Sequence, residues 1–266
     1  MTLELQTERM QAHISNGVGW MIFNNPARHN ALSLEMWQGI GDILEHYEEN
    51  DEVRVVVMRG AGGKAFVSGA DISEFDTKRS NAQQKETYAE ISSRASFWLS
   101  RISKPLIGLI EGYCIGGGLA TALSADVRFA TPDSKFGIPA AKLGLGYEYE
   151  GLSKLARIVG PTKARDIMFS ARFMEADEAL GMGLINFIHS RDDIEKECLA
   201  YAERIAGNAP LTVKAAKAAL NAWERGSRED EVARVREMVD ACFDSADYEE
   251  GRRAFAQKRT PHFQGQ

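Results

Sequence analysis

The side chains best suited to proton transfer lie in residues 146–151, which read Gly-Tyr-Glu-Tyr-Glu-Gly. Glu148 and Glu150 carry carboxylates and Tyr147 carries a phenol, and all three groups can hold or move a proton. An amphipathic pattern typical of a helix follows the stretch. Acidic residues are also favoured at a helix N-terminus. The spacing therefore fits two roles for each glutamate, a proton carrier or a charge at a helix end.

Two glycine-containing loops indicate a second kind of chemistry. Residues 68–71 (Ser-Gly-Ala-Asp) and 116–118 (Gly-Gly-Gly) each come after a short apolar run, at 53–60 and 104–112. Such runs are typical of buried parallel strands, whose ends commonly bind ligands. One backbone N–H from each loop would form an oxyanion hole. Glycine is also required where a helix packs tightly on a strand. The matching positions of the two loops favour the functional interpretation.

Several motifs of other enzyme classes are absent from the sequence. Residues 60–66 (Gly-Ala-Gly-Gly-Lys-Ala-Phe) lack the Ser or Thr that follows the lysine of a phosphate-binding P-loop. There is no G-x-G-x-x-G after a strand, no H-E-x-x-H, no C-x-x-C and no G-x-S-x-G. These absences disfavour nucleotide, metal and serine-nucleophile chemistry. Proton transfer and oxyanion stabilisation remain.

The elements that position these residues follow an α/β pattern. Ser15, Asn16 and Gly17 predict a hairpin turn, and Ser33 predicts the N-cap of a helix. A Gly-rich loop is expected at 60–75, and a polar stretch at 76–86 leads into a helix that ends near Leu99. The alternation of strand, loop and helix indicates an α/β fold over roughly residues 1–160. Helices are predicted beyond it, at Thr162–Ser170, Ala176–Gly181, Asp193–Ala206, Thr212–Arg225, Arg228–Phe243 and Tyr248–Lys258.

Composition limits the classes of function. The 266 residues carry a net charge of −6, which disfavours a nucleic-acid-binding protein because such proteins need a basic surface. The three cysteines are far apart and odd in number, as expected for reduced thiols. The first 17 residues lack the basic and apolar parts of a signal peptide, and no apolar run is long enough for a membrane span. We expect a soluble cytoplasmic protein without membrane or nucleic-acid partners.

Several segments together resemble the crotonase superfamily, also called enoyl-CoA hydratase/isomerase. The similar segments are NPARHNALS (25–33), AFVSGADISEF (65–75), KPLIGLIEGYCIGGGLATALSADVRFAT (104–131), FGIPAAKLGL (136–145), ALGMGLIN (179–186) and DSADYEEGRRAFAQKRTPHF (244–263). The resemblance covers nearly the whole chain in order. It implies a ClpP/crotonase-like core of repeated ββα units at 1–195, and a helical trimerisation region at 196–266. It also implies homotrimers that often pair as hexamers, an acyl-CoA thioester substrate, and no metal or redox cofactor.

The same resemblance assigns roles to individual positions. It implies that the N–H groups of Ala70 and Gly117 hold the thioester oxygen. It also implies contacts to coenzyme A from Arg28, Ala31, Ser68, Ala70, Asp71, Ile72, Phe255 and Lys258. The last two are often supplied by a neighbouring subunit. Plain surface charge is the alternative explanation for Arg28 and Lys258.

The chain departs from the hydratases of this superfamily at two positions. Hydratases place one glutamate two residues after the Gly-Gly-Gly run and another just after the proline of F-G-x-P. Ala120 and Ala140 stand at these positions here. A methyl group cannot orient water or deliver a proton, and each such acid–base group is worth about 10²–10⁴-fold in rate. Ordinary enoyl-CoA hydration is therefore disfavoured.

Glu148 falls at another acid position of the superfamily. Peroxisomal-type Δ3,Δ2-enoyl-CoA isomerases and dienoyl-CoA isomerases use an acid there to move a proton, and chlorobenzoyl-CoA dehalogenases use one as a nucleophile. Tyr147 instead resembles a tyrosine of methylmalonyl-CoA decarboxylases, whose active-site histidine is replaced here by Ala70. A non-catalytic acyl-CoA binder is a third alternative. We predict an isomerase-type enzyme in which Glu148 carries the proton, with Glu150 as a bystander.

Overall fold

The computed structural model describes residues 3–74 and 82–266. The strands in these residues are β1 (Met10–Ser15), β2 (Val18–Phe23), β3 (Val55–Gly60), β4 (Ala65–Val67), β5 (Leu106–Ile110), β6 (Tyr113–Ile115), β7 (Val127–Ala130), β8 (Lys135–Gly137), β9 (Met174–Glu175) and β10 (Phe187–Ile188). The helices are α1 (Leu34–Glu49), α2 (Ala82–Arg101), α3 (Gly117–Ala122), α4 (Tyr149–Val159), α5 (Pro161–Ser170), α6 (Ala176–Gly181), α7 (Ile194–Ala206), α8 (Pro210–Glu224), α9 (Glu229–Phe243) and α10 (Ala246–Gln257). Short 3₁₀ helices lie at Pro26–Arg28, Ile72–Glu74 and Pro139–Leu143.

The larger sheet has the strand order β1-β2-β3-β5-β7-β10. β1 and β2 form the predicted antiparallel hairpin, and the other neighbouring strands pair in parallel. Asn16 and Gly17 connect the hairpin with φ values of 52° and 77°. Positive φ at both central residues is what a two-residue hairpin turn requires, so the Asn-Gly pair sets the register.

Helices cover both faces of this sheet because side chains alternate along its strands. On β3, Val56 and Met58 join the core that contains the α1 side chains, whereas Val55 and Val57 pack with α7. α1 begins at the predicted N-cap, where the Ser33 hydroxyl accepts a hydrogen bond from the Met36 N–H. The sheet is thus buried between two helical layers, as continuous apolar strands require.

The smaller sheet has the order β4-β6-β8-β9 and arises from a repeated unit. In each unit a strand of the larger sheet is followed by a short strand of the smaller sheet and then by a helix. The units are β3-β4-α2, β5-β6-α3 and β7-β8-α4. This arrangement confirms the predicted ββα repeat. The prediction of a Gly-rich loop at 60–75 was partly wrong, because the middle of this segment forms β4.

The C-terminal part is mainly helical, as predicted, with two exceptions. β9 joins the smaller sheet beside β8, and β10 joins the larger sheet beside β7. The sheets therefore extend past residue 160, to Ile188. Both strands have two residues, too few to show a strand period in the sequence. The division of the chain after residue 195 stays a prediction. That position lies within α7, which packs Cys198 and Ala202 against the larger sheet.

The last residues of the chain are tied to α10 by two buried carboxylates. Asp247 accepts hydrogen bonds from the N–H groups of Gln264 and Gly265 at 2.6 and 2.8 Å. Glu250 accepts from the His262 N–H at 3.0 Å and pairs with Arg259. These contacts fold the tail back along the helix. No helix in the described ranges is long and apolar enough to cross a membrane.

Candidate active site

The two glycine loops lie side by side because the strands before them are neighbours. β4 pairs in parallel with β6, so residues 68–71 and 116–118 leave the smaller sheet at the same edge. A Cβ atom placed on Gly117 would lie 3.7 Å from the Ala70 nitrogen, and one on Gly116 would lie 3.9 Å from the Gly69 Cα. The two loop backbones are thus in direct apposition.

The Ala70 and Gly117 N–H groups have no acceptor among the residues that the structure describes. Around Ala70, the Leu32 N–H donates to the Gly69 carbonyl and the Asp71 N–H donates to the Leu32 carbonyl, at 2.8 and 2.9 Å. The Ala70 N–H between them has no acceptor among residues 3–74 and 82–266. The Gly117 N–H is likewise free within the described chain, at the first position of α3, where helices leave their N–H groups unpaired.

Three of the four loop glycines meet a conformational or packing requirement. Gly69 has φ 119° and Gly116 has φ 56°, which side chains other than glycine rarely adopt. A Cβ atom on Gly118 would lie 2.0 Å from the Val67 carbonyl oxygen, so this glycine allows α3 to pack on β4. Gly117 has neither constraint, since its added Cβ meets nothing closer than 3.7 Å. The packing explanation therefore holds for Gly118, whereas a Cβ on Gly117 would make only ordinary van der Waals contacts.

Part of the predicted coenzyme A surface comes together beside these loops. The Ser68 N–H donates to the His29 carbonyl at 3.1 Å, and the Ser68 hydroxyl donates to the Arg28 carbonyl at 3.4 Å. Arg28 is exposed at the end of the first 3₁₀ helix, and Ala31 follows it half-buried. Asp71 is buried and accepts from the Ser73 N–H and hydroxyl at 3.0 and 2.6 Å, which holds the next 3₁₀ turn.

Three further predicted contacts are not joined to this surface. The backbone of Ile72 begins the second 3₁₀ helix, and its side chain lies outside the described part of the structure. Phe255, with 88% of its surface exposed, and Lys258 lie at the end of α10. Among the described residues, neither forms a hydrogen bond or ion pair with the loops at 26–31 or 68–71. The roles of all three in binding coenzyme A stay predictions.

Asn30 is a structural residue of the site that sequence reasoning missed. Its side-chain amide is fully buried and donates to the carbonyls of Ala61 and Ala65, at 3.0 and 2.7 Å. Its Oδ1 accepts from the Asn25 N–H at 2.8 Å. Asn30 has φ 56°, a conformation that asparagine tolerates better than most residues. An asparagine within the polar NPARHNALS segment was the available signal.

The two alanines that replace hydratase glutamates have different surroundings. Ala120 lies on α3, half-buried, three residues after Gly117. Ala140 lies in the third 3₁₀ helix and is 4% exposed. Neither side chain can donate or accept a proton.

The segment that carries Glu148 leaves the same sheet edge as the glycine loops. β8 pairs in parallel with β6, so residues 138–148 start beside the Gly-Gly-Gly loop. Glu148 immediately precedes α4, and its carbonyl accepts from the Leu152 N–H at 3.3 Å. Its exposed carboxylate makes no capping hydrogen bond. Glu150 lies in the first turn of α4 and is also exposed.

Tyr147 contrasts with its acidic neighbours. Its side chain is half-buried and packs against the main hydrophobic core. Burial raises the pKa of the phenol, so the hydroxyl stays protonated and able to donate a hydrogen bond. The structure thus leaves a free carboxylate and a protonated phenol on consecutive residues. Within residues 3–74 and 82–266, no cluster of three or more His, Cys, Asp or Glu side chains is arranged to hold a metal ion.

Comparison with known proteins gives consistent matches over nearly the whole chain. The family model described as "Enoyl-CoA hydratase/isomerase" matches residues 13–266. A short-chain-enoyl-CoA hydratase of Clostridium acetobutylicum is 32% identical over 242 residues, which cover 91% of this chain and 92% of the relative. A crotonyl-CoA hydratase of Syntrophomonas wolfei is 29% identical over 243 residues, covering 91% and 93%.

A solved structure agrees with these sequence matches. An enoyl-CoA hydratase/carnithine racemase from Magnetospirillum magneticum superposes with a TM-score of 0.86 at 34% identity. The superposition covers 98% of this chain and 97% of that one. The fold and the order of the segments are therefore shared along the full length.

Proposed function

Because the chain belongs to the enoyl-CoA hydratase/isomerase family, whose members act on acyl-CoA thioesters, we propose that it catalyses an isomerase-type shift of a double bond. In this reaction a 3-enoyl-CoA becomes a 2-enoyl-CoA. The proposal is carried by three groups that have no partner within residues 3–74 and 82–266: the N–H groups of Ala70 and Gly117, and the carboxylate of Glu148 on the adjoining loop.

The N–H groups would stabilise the charge that develops on the thioester oxygen. Removal of the proton at C2 places negative charge on this oxygen and gives an enolate. Two backbone donors aimed at an oxyanion lower the barrier, and loss of one donor typically costs about 10²–10³-fold in rate. The apposed loops support this role, because the pairing of β4 with β6 holds the two loop backbones next to each other. Their N–H groups can then donate hydrogen bonds to the oxyanion without a rearrangement of the backbone.

Glu148 would carry the proton between carbons. Its carboxylate takes the proton from C2 and returns it to C4, so that the double bond moves into conjugation with the thioester. Protons and electrons balance within the substrate, and no metal or redox cofactor takes part. An acid that is free of capping contacts can approach a substrate without breaking a bond, which supports this role for Glu148.

Hydration is the activity named for the two relatives described above, and the proposal departs from it at Ala120 and Ala140. Addition of water needs a group that orients the water and one that protonates C2. Alanine provides neither. The methyl of Ala140 is moreover buried, so water has little access to that position.

The binding of coenzyme A is proposed at the surface formed by Arg28, Ala31 and residues 68–72. Ser68 joins the two segments, which supports a single continuous contact area. Phe255 and Lys258 would complete the site from a neighbouring copy. Their exposure in the single chain supports that role, as part of a cytoplasmic homotrimer or a hexamer of paired trimers.

Decarboxylation of a malonyl-type thioester is the second candidate. It is favoured by the half-buried Tyr147, whose protonated phenol would position the departing carboxylate. The resulting enolate would use the same two N–H groups. This reaction would depend on Tyr147 and leave Glu148 without a role.

The test compares wild type, Glu148→Gln and Glu150→Gln on matched substrates. Conversion of 3-enoyl-CoA to its conjugated isomer is followed by ultraviolet absorbance, and exchange of the C2 protons with deuterium is followed by mass. We expect Glu148→Gln to lower the rates of isomerisation and of deuterium exchange by about 10²–10⁴-fold, as for the loss of a general base. Glu150→Gln should keep both rates. Equal rates in wild type and Glu148→Gln would refute the assignment.

Three further outcomes separate the alternatives. Rapid hydration of crotonyl-CoA would refute the interpretation of Ala120 and Ala140. Release of CO2 from methylmalonyl-CoA that is lost in Tyr147→Phe would establish the decarboxylase. Binding of all these thioesters without turnover or proton exchange would identify a non-catalytic binder.

A further inference from the structure

Lys154 lies on α4, one helical turn past the candidate active-site loop, and lines a cavity that is separate from that loop. This cavity has a volume of about 300 Å³, at the lower end of small-molecule sites. Its apolar wall comes from Leu99, Leu123, Ile158 and Leu220, which belong to different elements of the chain. None of the residues proposed for catalysis lines it.

The Lys154 amine differs from the nearby amine of Lys217 in its hydrogen bonds. Among the described residues it has no hydrogen bond and no ion pair. Lys217, in the same cavity, donates to Asp126 and to the Lys104 carbonyl, both at 2.8 Å. Asp126 is therefore already paired, and the side chain of Lys154 remains free.

Charged groups from each side of the cavity act on this amine. Burial is the main cause that lowers the pKa of Lys154, to about 8, and the cations Arg128 and Lys217 act in the same direction. The carboxylates of Glu224 and Asp126 oppose the shift. A pKa near 8 leaves roughly a quarter of the amine neutral at pH 7.5, against about 0.1% for an ordinary lysine.

Lys104 provides the internal comparison. Burial lowers the pKa of Lys104 as well. Its amine, however, donates to the carbonyls of Tyr47 and Asn50, so its nitrogen is enclosed by acceptors and cannot approach an electrophile. Lys154 alone combines a weakened positive charge, a free nitrogen and adjoining space within the described part of the chain.

We propose that Lys154 is a site of covalent self-acylation by the acyl-CoA thioesters that members of this family act on. The neutral amine attacks the thioester carbonyl carbon, a C–N bond forms and the C–S bond breaks. Coenzyme A leaves as the thiolate and takes up the proton that the amine loses. The products are Nε-acyl-Lys154 and free coenzyme A. The apolar wall of the cavity receives the acyl chain.

Acylation replaces a cation by a neutral amide beside Glu224 and Asp126. These carboxylates then lose one attraction, and the cavity fills with apolar atoms. Because α4 begins next to Glu148, a change at Lys154 lies on the same helix as the proposed proton carrier. The inference concerns a separate reaction, and it does not depend on which double-bond chemistry the enzyme performs.

The test measures site occupancy by mass. The purified full chain is incubated with acetyl-CoA or crotonyl-CoA between pH 6.5 and 9.5, and acylation is quantified at every lysine by peptide mass spectrometry. At pH 7.5 the neutral fraction of the Lys154 amine is about 200-fold larger than that of an ordinary lysine. Its lower basicity offsets part of this gain, because a less basic amine is a weaker nucleophile, as a less basic thiolate is. We expect Lys154 to react on the order of tenfold faster than the exposed Lys163 and Lys196 at pH 7.5.

The pH profile and one variant add independent readouts. Acylation of Lys154 should level off above about pH 8, whereas that of Lys163 should keep rising through pH 9. The Glu224 carboxylate is exposed and favours the charged form of the Lys154 amine, so Glu224→Gln should increase the acylation of Lys154 at pH 7. Glu229→Gln, in the first turn of α9, serves as the matched control. Occupancy at Lys154 no greater than at Lys163, or a profile that rises through pH 9, would overturn the proposal. Because occupancy is measured by mass, a protein that does not isomerise 3-enoyl-CoA still gives a decisive result.

Discussion

Replacement of Gly117 by proline removes one of the two free N–H groups with little disturbance of the fold. Gly117 is the first residue of α3, and proline is tolerated at this position because the N–H there has no partner in the helix. An added Cβ meets no atom closer than 3.7 Å. Gly116, which precedes it, has ψ −118°, away from the values that a following proline disfavours in glycine.

The expected loss follows from the single donor that is removed. One oxyanion donor is worth about 10²–10³-fold in rate, or roughly 3–4 kcal/mol of transition-state stabilisation. The measurement is kcat/KM for isomerisation of 3-enoyl-CoA, together with deuterium exchange at C2 of a saturated acyl-CoA. Both report enolate formation, so both should fall by a similar factor. The midpoint of thermal unfolding should stay near that of wild type.

Gly117→Ala is the matched control, because it adds the same Cβ and keeps the N–H. The ratio of rates between the alanine and proline variants separates the effect of the Cβ from the effect of replacing the N–H by the proline ring. We expect the alanine variant to retain at least about tenfold more activity than the proline variant. Equal activity of the two variants in a folded protein would show that the Gly117 N–H takes no part in catalysis.

Three further predictions concern the residues that hold the site in place. Gly118→Ala should destabilise the protein by about 3 kcal/mol in denaturant titrations, because its Cβ would lie 2.0 Å from the Val67 carbonyl oxygen. This value is at the upper end of usual overpacking costs. The control is Gly181→Ala, which has open space around its Cβ and should be neutral or slightly stabilising. Asn30→Ala should cost about 3–5 kcal/mol by the same measurement, since it leaves buried carbonyls unpaired, and Asn30→Gly should separate that loss from backbone strain. Glu250 has a pKa well below its ordinary 4.5, held there by Arg259, Arg253 and the His262 N–H, so its contribution to stability is present above pH 4.5 and is lost as the pH falls below that value; the stability difference between wild type and Glu250→Gln should therefore shrink in acid. A difference that stays constant from pH 7 to pH 3 would contradict this assignment.

The sequence predicted elements whose signals are local. The Asn-Gly turn, the Ser33 cap and the strand at Val127–Ala130 were confirmed because each depends on a few adjacent residues. Short strands escaped prediction: β8, β9 and β10 have two or three residues, and long-range pairing stabilises them. Most of the polar stretch predicted for 76–86 lies outside the described residues, and its last part, 82–86, begins α2.

The candidate site shows the same division. Glycine in two loops was visible in the sequence, but the apposition of Ala70 and Gly117 depends on the pairing of β4 with β6. The contact between Ser68 and Arg28 joins residues 40 positions apart, which only the family resemblance suggested. The partnerless Lys154 had no signal, because its environment is assembled from α4, α8 and the residues around β7.

The parallel arrangement of β4, β6 and β8 separates two kinds of chemical contribution. In the proposed site, the first two loops would supply main-chain N–H groups, which every residue except proline possesses, so most substitutions there would leave the donors in place. The third loop would supply side chains, and a single substitution at residues 140, 147 or 148 would change which proton can move and to where. A scaffold built in this way can exchange one reaction for another by point mutation while the means of holding the negative charge stays the same. Libraries confined to residues 138–150 should therefore yield altered product distributions, whereas a one-residue deletion within β6 should abolish every reaction together.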